Sequence, residues 1–198
     1  MKAMILAAGR GDRMRPLTDH TPKPLLPVAG KALIVWHLER LAQAGFREVV
    51  VNHAHLGDQI EALLDDGSAW GLSIRYSPEP PGALETAGGV AQALPLLGPE
   101  PFFLISADIY VEADYRVLTD AAAGLKDGAT GFMWMVDNPP WHSGGDFALV
   151  DDRLTLDASP RLTYANLGVF GPAFFAGVEP GTRLPMSPLF RRAIADSR

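Results

Sequence analysis

The chain has 198 residues, a formal net charge of −6 and no cysteine. This length suffices for one domain with a sizeable core, and the acidic balance argues against a general nucleic-acid surface. Without cysteine, disulfides, thiolate catalysis and cysteine–zinc sites are excluded. No stretch approaches the roughly twenty apolar residues of a membrane span, and a strand predicted at the start leaves no room for a signal peptide. We therefore expect a cytoplasmic protein with no membrane and no nucleic-acid partner.

The first predicted strand spans residues 2–7 and is followed by a turn of small residues. Ala8, Gly9 and Gly11 carry little or no side chain, so the backbone can approach a ligand closely. Consecutive backbone N–H groups in such a turn form an anion-binding concavity. The turn has Met14 in place of the third glycine of a dinucleotide fingerprint, and it lacks the Lys-Ser/Thr ending of a P-loop. The pattern therefore predicts another kind of polyphosphate site.

Basic side chains surround this turn. Arg10, Arg13 and Arg15 lie on or beside it, and a guanidinium can grip phosphate in a bidentate fork. Lys23 stands between two prolines, which fix their own φ and disfavour helix at the lysine. Because its backbone is stiff, the ammonium group can be aimed at a ligand.

Apolar runs alternate with helical patterns through the rest of the first half. The predicted elements are a helix over 32–44, a strand over 48–52, a helix over 56–64, a strand over 72–76, a helix over 86–97 and a strand over 101–106. This order predicts a parallel sheet with right-handed crossovers. The Gly9 turn, Asn52, Ser77 and Asp108 follow strand ends, so we expect them to converge in one crevice.

The second half contains shorter predicted strands joined by turns rich in proline and glycine. These strands cover residues 129–136, 147–150, 153–156 and 167–170, and Asp151-Asp152 predicts a hairpin turn between two of them. We interpret residues 1–198 as a single domain with two lobes that meet near residue 110. The predicted fold class is α/β, with a Rossmann-like, mixed and mostly parallel sheet flanked by helices.

Four linked blocks near the start resemble the signature of the sugar-phosphate nucleotidyltransferases. They are Leu6-Ala7-Ala8-Gly9, Gly11-Asp12-Arg13, Pro16-Leu17-Thr18 and Pro22-Lys23-Pro24. Within that family the chain most resembles the bacterial N-acetylmuramate-1-phosphate uridylyltransferases, in stretches such as 84–89 and 136–139. The resemblance implies the nucleotide-diphospho-sugar transferase fold. It also implies attack of a sugar 1-phosphate, favoured as N-acetylmuramate 1-phosphate, on UTP, giving UDP-sugar and pyrophosphate in peptidoglycan recycling.

The resemblance further implies which residues form the site. Nucleotide binding falls, in a lobe of about residues 1–110, on Ala8, Gly9, Gly11, Asp12, Arg13, Lys23 and Gly88. Arg13 and Lys23 are the implied catalytic residues. The implied sugar-binding residues are Ser106, Gly145 and Asn166, and the lobe of about residues 111–198 forms the sugar side. Ser106 stands where these uridylyltransferases usually carry asparagine.

Asp108 is the candidate metal ligand. It follows a buried strand, and Mg²⁺ prefers oxygen ligands and usually takes one or two protein carboxylates. The metal-binding aspartate of the resembled family stands at this place, so we expect Mg²⁺ there. The family usually has a second metal aspartate in an Asp-Val/Ile-Gly-Thr segment near its C-terminus. Residues 193–198 do not match that segment, and Asp196 lies in a predicted helical tail, so we expect weaker metal binding.

Two alternatives to the uridylyltransferase remain open from the sequence. The N-terminal blocks are shared with mannose-1-phosphate guanylyltransferases, which would use GTP and a different sugar phosphate. The unmatched second aspartate instead favours a nucleotide-binding regulatory module or pseudoenzyme. His53-x-His55 offers two histidines after a strand, which we do not interpret as a metal site.

Overall fold

The structure is a computed structural model that describes residues 1–117, 119–120, 125 and 128–196. Its strands are β1 Ala3–Leu6, β2 Pro27–Val28, β3 Lys31–Ala32, β4 Glu48–His53, β5 Ser73–Pro78, β6 Phe102–Ser106, β7 Gly131–Val136, β8 Phe147–Val150, β9 Arg153–Thr155 and β10 Arg161–Phe170. Its α-helices are α1 Leu33–Gln43, α2 Gly57–Leu64, α3 Glu85–Leu97 and α4 Ser187–Ala195. The predicted α/β fold class is confirmed.

One mixed sheet organises the described part of the chain. Its strand order is β5-β4-β1-β6-β10-β8-β9, and β7 also pairs with β10. Strands β5, β4, β1 and β6 are mutually parallel, so their carboxyl ends meet at one edge of the sheet. The antiparallel pairs of this sheet all involve strands of the second half of the chain. Strands β2 and β3 form a separate two-stranded ribbon.

The central strand β1 explains how the sheet is covered on both faces. Ala3, Met4 and Ile5 are fully buried, as expected of a parallel strand with helices on either side. Ile5 packs in a cluster with residues of α1, such as Leu38. Met4 belongs to a second cluster with residues of α3, such as Val90. Alternate residues of β1 thus face opposite helical layers.

The largest difference from the predicted elements is in β10. It begins at Arg161, six residues before the predicted start, and its pairing with β7 shifts register between Tyr164 and Gly168. Asn166 lies inside this irregularity with a φ of 57°, a left-handed conformation that asparagine tolerates better than most residues. A bulge of this kind interrupts the alternation of side chains, which concealed the first half of the strand.

Other parts of the second half follow the sequence pattern closely. Asp151 and Asp152 have φ values of 47° and 59°, as a two-residue turn between β8 and β9 requires, so the predicted hairpin is confirmed. The C-terminal helix α4 buries Leu189 and Phe190. The helices in the portion of the chain that the structure describes are all too short or too polar to cross a membrane.

Candidate functional site

A cleft of about 360 Å³ opens at the carboxyl ends of the parallel strands. It is lined by Leu6, Ala7, Ala8, Gly9, Gly11, Asp12, Arg13, Met14, Lys23, Pro24, Asn52, Glu79, Ala83, Glu85, Thr86, Ser106 and Asp108. The expected convergence of strand ends therefore includes the Gly9 turn, Asn52 and Asp108. Ser77 is buried and absent from the described lining. Because β5 continues to Pro78, the residue that reaches the cleft is Glu79 instead.

The glycine turn is folded against a threonine. Gly11 has a φ of 74°, and the Thr18 hydroxyl donates a hydrogen bond to the Gly11 carbonyl at 2.9 Å. A Cβ at position 11 would lie 2.9 Å from Thr18 Cγ2 and 3.2 Å from Lys23 Cβ. Both the backbone conformation and the close approach therefore require glycine. The turn is packed directly against the residue that carries the candidate catalytic ammonium group.

Lys23 and Asp108 meet in this cleft. Lys23 Nζ lies 2.6 Å from Asp108 Oδ2, and the two side chains are 21% and 42% exposed. The lysine begins a short 3₁₀ helix after Pro22, which has extended backbone, and the Leu25 amide donates to the Pro22 carbonyl at 2.8 Å. The expectation that the prolines disfavour helix at Lys23 is wrong, because this residue is the first of the 3₁₀ helix. Its side chain is directed at a carboxylate 85 residues away.

The arginines near the turn differ in their surroundings. Arg10 Nε lies 3.0 Å from Asp12 Oδ1, and Arg15 Nε lies 2.7 Å from Asp19 Oδ1. Of these arginines, Arg13 is the one found in the described cleft lining. Arg10 and Arg15 thus have carboxylate partners close to the turn, while Arg13 lines the cleft.

A buried polar relay behind the cleft was not expected from the sequence. The Ala7 amide donates to Asn52 Oδ1 at 2.9 Å, and Asn52 Nδ2 donates to Glu79 Oε1 at 2.5 Å. The other oxygen, Glu79 Oε2, accepts from the Leu84 amide at 2.7 Å. These bonds join the ends of β1, β4 and β5 to the start of α3. A Cβ at Gly89 would lie 2.3 Å from Glu79 Oε1, so the helix approaches this relay closely.

The remaining candidate residues differ in how close they lie to the cleft. Ser106 lines the cleft, and the pairing of Leu167 with Ile105 places Asn166 level with Ser106 at the same sheet edge. Gly145 lies in the left-handed region with a φ of 59°, and the described lining does not include it. Gly88 also lies outside that lining, and its buried amide donates to the Leu184 carbonyl oxygen at 3.1 Å. The assigned roles of these residues stay predictions.

Divalent metal binding can be tested against the donor chemistry of the cleft. Among the residues that the structure describes, no group of three or more His, Cys, Asp or Glu side chains could hold a metal ion. Mg²⁺ does not need one, since it commonly binds one or two carboxylates together with substrate phosphates and water. Asp108 offers such a carboxylate beside the glycine turn. Asp196 directly follows α4 and is not part of the described lining, and residues 197–198 lie outside the described residues.

The two discounted histidines have separate partners. His53 Nε2 lies 2.7 Å from Glu61 Oε1, whereas His55 Nε2 lies 3.0 Å from the Thr18 carbonyl oxygen. The His55 contact implies an Nε2–H donor, because a carbonyl oxygen only accepts. Each histidine is thus held by a different element of the fold.

Comparison with known proteins places the chain among nucleotidyltransferase sequences. The family model described as nucleotidyl transferase matches residues 2–142. An N-acetylmuramate alpha-1-phosphate uridylyltransferase of Neisseria meningitidis is 52% identical over 100% of this chain and 87% of its own length. The enzyme of the same name from Caulobacter vibrioides is 36% identical over 99% of this chain and 85% of its own length. A Bacillus anthracis protein described as a glucose-1-phosphate thymidylyltransferase, solved with sucrose, has a TM-score of 0.81 at 22% identity. That likeness covers 99% of this chain and 83% of the other.

Proposed function

The chain belongs to the nucleotidyl transferase family, and from that premise we propose that it transfers a uridylyl group from UTP to N-acetylmuramate 1-phosphate. The products are the UDP-sugar and pyrophosphate, and the reaction serves peptidoglycan recycling. Support for this choice of substrates comes from the full-length similarity to relatives named for that activity.

The observation that carries the proposal is the meeting of Lys23 and Asp108 at 2.6 Å beside the glycine turn. The reaction brings two polyanions together, so its barrier falls when positive groups are already in place where charge develops. In our proposal the backbone N–H groups near Gly9 and Gly11 and the Arg13 guanidinium hold the triphosphate. The Lys23 ammonium neutralises charge between the α-phosphate and the departing pyrophosphate.

Asp108 is the residue that would hold Mg²⁺. The ion, when bound, supplies positive charge to phosphate oxygens and helps orient them. The Asp108 side chain is 42% exposed toward the cleft, so one of its oxygens can contact Lys23 while the carboxylate remains accessible. Lys23 also limits the repulsion between the Asp108 carboxylate and an incoming phosphate.

The sugar side of the proposed site is formed by Ser106 and Asn166, which share one edge of the sheet, with Gly145 beyond them. A hydroxyl and a carboxamide suit a sugar, because both can donate and accept hydrogen bonds. The nucleotide side uses Ala8 and Asp12, which line the cleft, in keeping with the resemblance of the N-terminal blocks to the family signature.

The proposal is tested by pyrophosphate release from each nucleoside triphosphate combined with each of a panel of sugar 1-phosphates, in Mg²⁺ and in Mn²⁺. We expect release with UTP and N-acetylmuramate 1-phosphate. Release with GTP and mannose 1-phosphate alone would assign the chain to guanylyl transfer. Tight UTP binding without turnover in any combination would identify a nucleotide-binding module, and either result would overturn the proposal.

A further inference from the structure

Behind the Asp108 turn lies a histidine that the proposed chemistry does not use. His37 lies in α1 and is fully buried. Its Nε2 lies 2.8 Å from the carbonyl oxygen of Ile109, the residue after Asp108. Its Nδ1 lies 2.9 Å from the Tyr115 hydroxyl. Both ring nitrogens are therefore bonded to the segment that directly follows the candidate metal ligand.

The acceptors fix the protonation state of the ring. A carbonyl oxygen only accepts, so Nε2 must carry the hydrogen that is donated to Ile109. In the neutral ring Nδ1 is then an acceptor, and the Tyr115 hydroxyl donates to it. Burial lowers the pKa of His37 to about 4, which favours the same neutral form at pH 7. The ring therefore bridges two points of one segment in a single tautomer.

Helix α1 also supports the other side of the cleft. The Leu33 amide at its start donates to the Leu26 carbonyl at 3.1 Å, and Leu26 directly follows the 3₁₀ helix that begins at Lys23. Helix α1 thus contacts both Leu26, which follows the 3₁₀ helix of Lys23, and Ile109, which follows Asp108. The 2.6 Å separation of Lys23 and Asp108 depends on both attachments.

We propose that His37 is a positioning residue, whose Nε2–H bond to the Ile109 carbonyl holds the Asp108 carboxylate at its place opposite Lys23. The strand β6 ends at Ser106, so Asp108 lies two residues beyond the last sheet residue. The Ala107 amide still donates to the Leu6 carbonyl at 2.9 Å, and the His37 bond holds the chain on the other side of Asp108, at Ile109. The inference rests on the proposed function for the role of Asp108.

Two substitutions separate the two bonds of the ring. In His37→Gln the side-chain amide reaches the place of Nε2 and can donate to Ile109, while the contact with Tyr115 is lost. In His37→Asn the shorter amide reaches the place of Nδ1 and can accept from Tyr115, while the bond to Ile109 is lost. Tyr115→Phe is the matched control, because it removes only the hydroxyl partner.

We expect His37→Asn to lower kcat, and to weaken Mn²⁺ binding in the presence of UTP, by about 10-fold. This is the lower end of the loss caused by removing a hydrogen-bond partner of a metal ligand, because His37 holds the residue after Asp108 and not Asp108 itself. His37→Gln and Tyr115→Phe should retain kcat and Mn²⁺ affinity within about threefold of the unchanged protein, even where their melting temperatures fall. Equal losses in His37→Asn and His37→Gln, or no loss in His37→Asn, would overturn the proposal.

Two measurements keep the test decisive if a variant fails to fold or the substrate assignment is wrong. Nitrogen-15 shifts of the unchanged protein report the tautomer of His37 directly, and a ring protonated at Nδ1 rather than Nε2 would overturn the proposal. Mn²⁺ titration in the presence of UTP needs no turnover. Absence of catalysis with every substrate pair would therefore reject the proposed function, while the ranking of the variants in Mn²⁺ affinity would still test the position of Asp108.

Discussion

Replacing Lys23 with alanine should separate catalysis from stability. The change removes an ion pair whose members are 21% and 42% exposed, and partly exposed pairs contribute at most about 1 kcal/mol to folding. For a chain of this size that loss lowers the melting temperature by about 2–4 °C. The same ammonium group faces developing phosphate charge in the proposed reaction. Loss of one such preorganised group typically lowers kcat by about 100- to 1000-fold, or roughly 3–4 kcal/mol of barrier.

Lys31→Ala is the matched control. Lys31 forms an ion pair with Glu39, and its Nζ lies 3.7 Å from the centroid of the Trp36 ring. Its removal therefore costs an ion pair and a cation–π contact, together about 1 kcal/mol or somewhat more. Lys31 does not belong to the described cleft lining. We expect this variant to lose at least as much stability as Lys23→Ala while keeping its kcat.

The assay is pyrophosphate release at saturating substrates, with thermal unfolding followed for each variant. If Lys23→Ala keeps kcat within about threefold of the unchanged protein, the charge-neutralising role assigned by analogy with other preorganised sites is wrong. If Lys31→Ala loses as much kcat as Lys23→Ala, the loss reflects a general disturbance of the fold. Only a large kcat loss with a small change in melting temperature, confined to Lys23→Ala, agrees with the proposed site.

Three further predictions follow from the geometry. Asp108→Ala should abolish the dependence of any residual turnover on Mg²⁺ concentration, and near-normal metal-dependent rates would remove this residue from the mechanism. Gly89→Ala places a Cβ 2.3 Å from Glu79 Oε1 and should lower the free energy of unfolding in urea by about 1–3 kcal/mol. Gly171→Ala, whose nearest neighbouring atom would be 3.7 Å away, should change it by less than about 0.5 kcal/mol. Because the pKa of His37 falls from 6.5 to about 4 on folding, the unfolded chain binds its proton first on acidification. The free energy of unfolding should therefore decline by up to about 3 kcal/mol as the pH falls from 6.5 to 4. In His37→Gln, the free energy of unfolding measured in urea should change less over the same pH range.

The elements that the sequence predicted are those with a local signature. Strand β1 is a short apolar run that ends in small residues, and the observed Ala3–Leu6 lies within the predicted range. Helix α3 begins one residue before its predicted start, and the Asp151-Asp152 turn has the backbone that a hairpin needs. Strand β10 was partly missed because the positive φ of Asn166 breaks the alternation on which strand prediction depends.

The buried hydrogen bonds of Asn52 and His37 could not have been found in the same way. Asn52 and Glu79 are 27 residues apart, and His37 lies 72 residues from Ile109 and 78 from Tyr115. No spacing in the sequence indicates such pairs, because they form only when the folded sheet and its helices bring distant parts of the chain together. Glu79 stands before two prolines and His37 lies in an amphipathic helix, and neither pattern by itself indicates a buried hydrogen-bond partner. The division of the chain into two lobes near residue 110 stays a prediction.

The geometry also indicates which side of the cleft is most sensitive to distant changes. Leu6 and Ser106 are paired in register on neighbouring strands, so the sheet itself fixes the distance between the glycine turn and the last residue of β6. Lys23 belongs to no strand of that sheet and depends on its packing against Gly11 and the start of α1. Asp108 lies beyond the strand end and depends on the middle of α1 through Ile109. Substitutions that shift α1 should therefore disturb the separation of Lys23 and Asp108 while leaving the glycine turn in place. Such variants should lose kcat more than UTP affinity, whereas changes in the glycine turn should weaken UTP binding first.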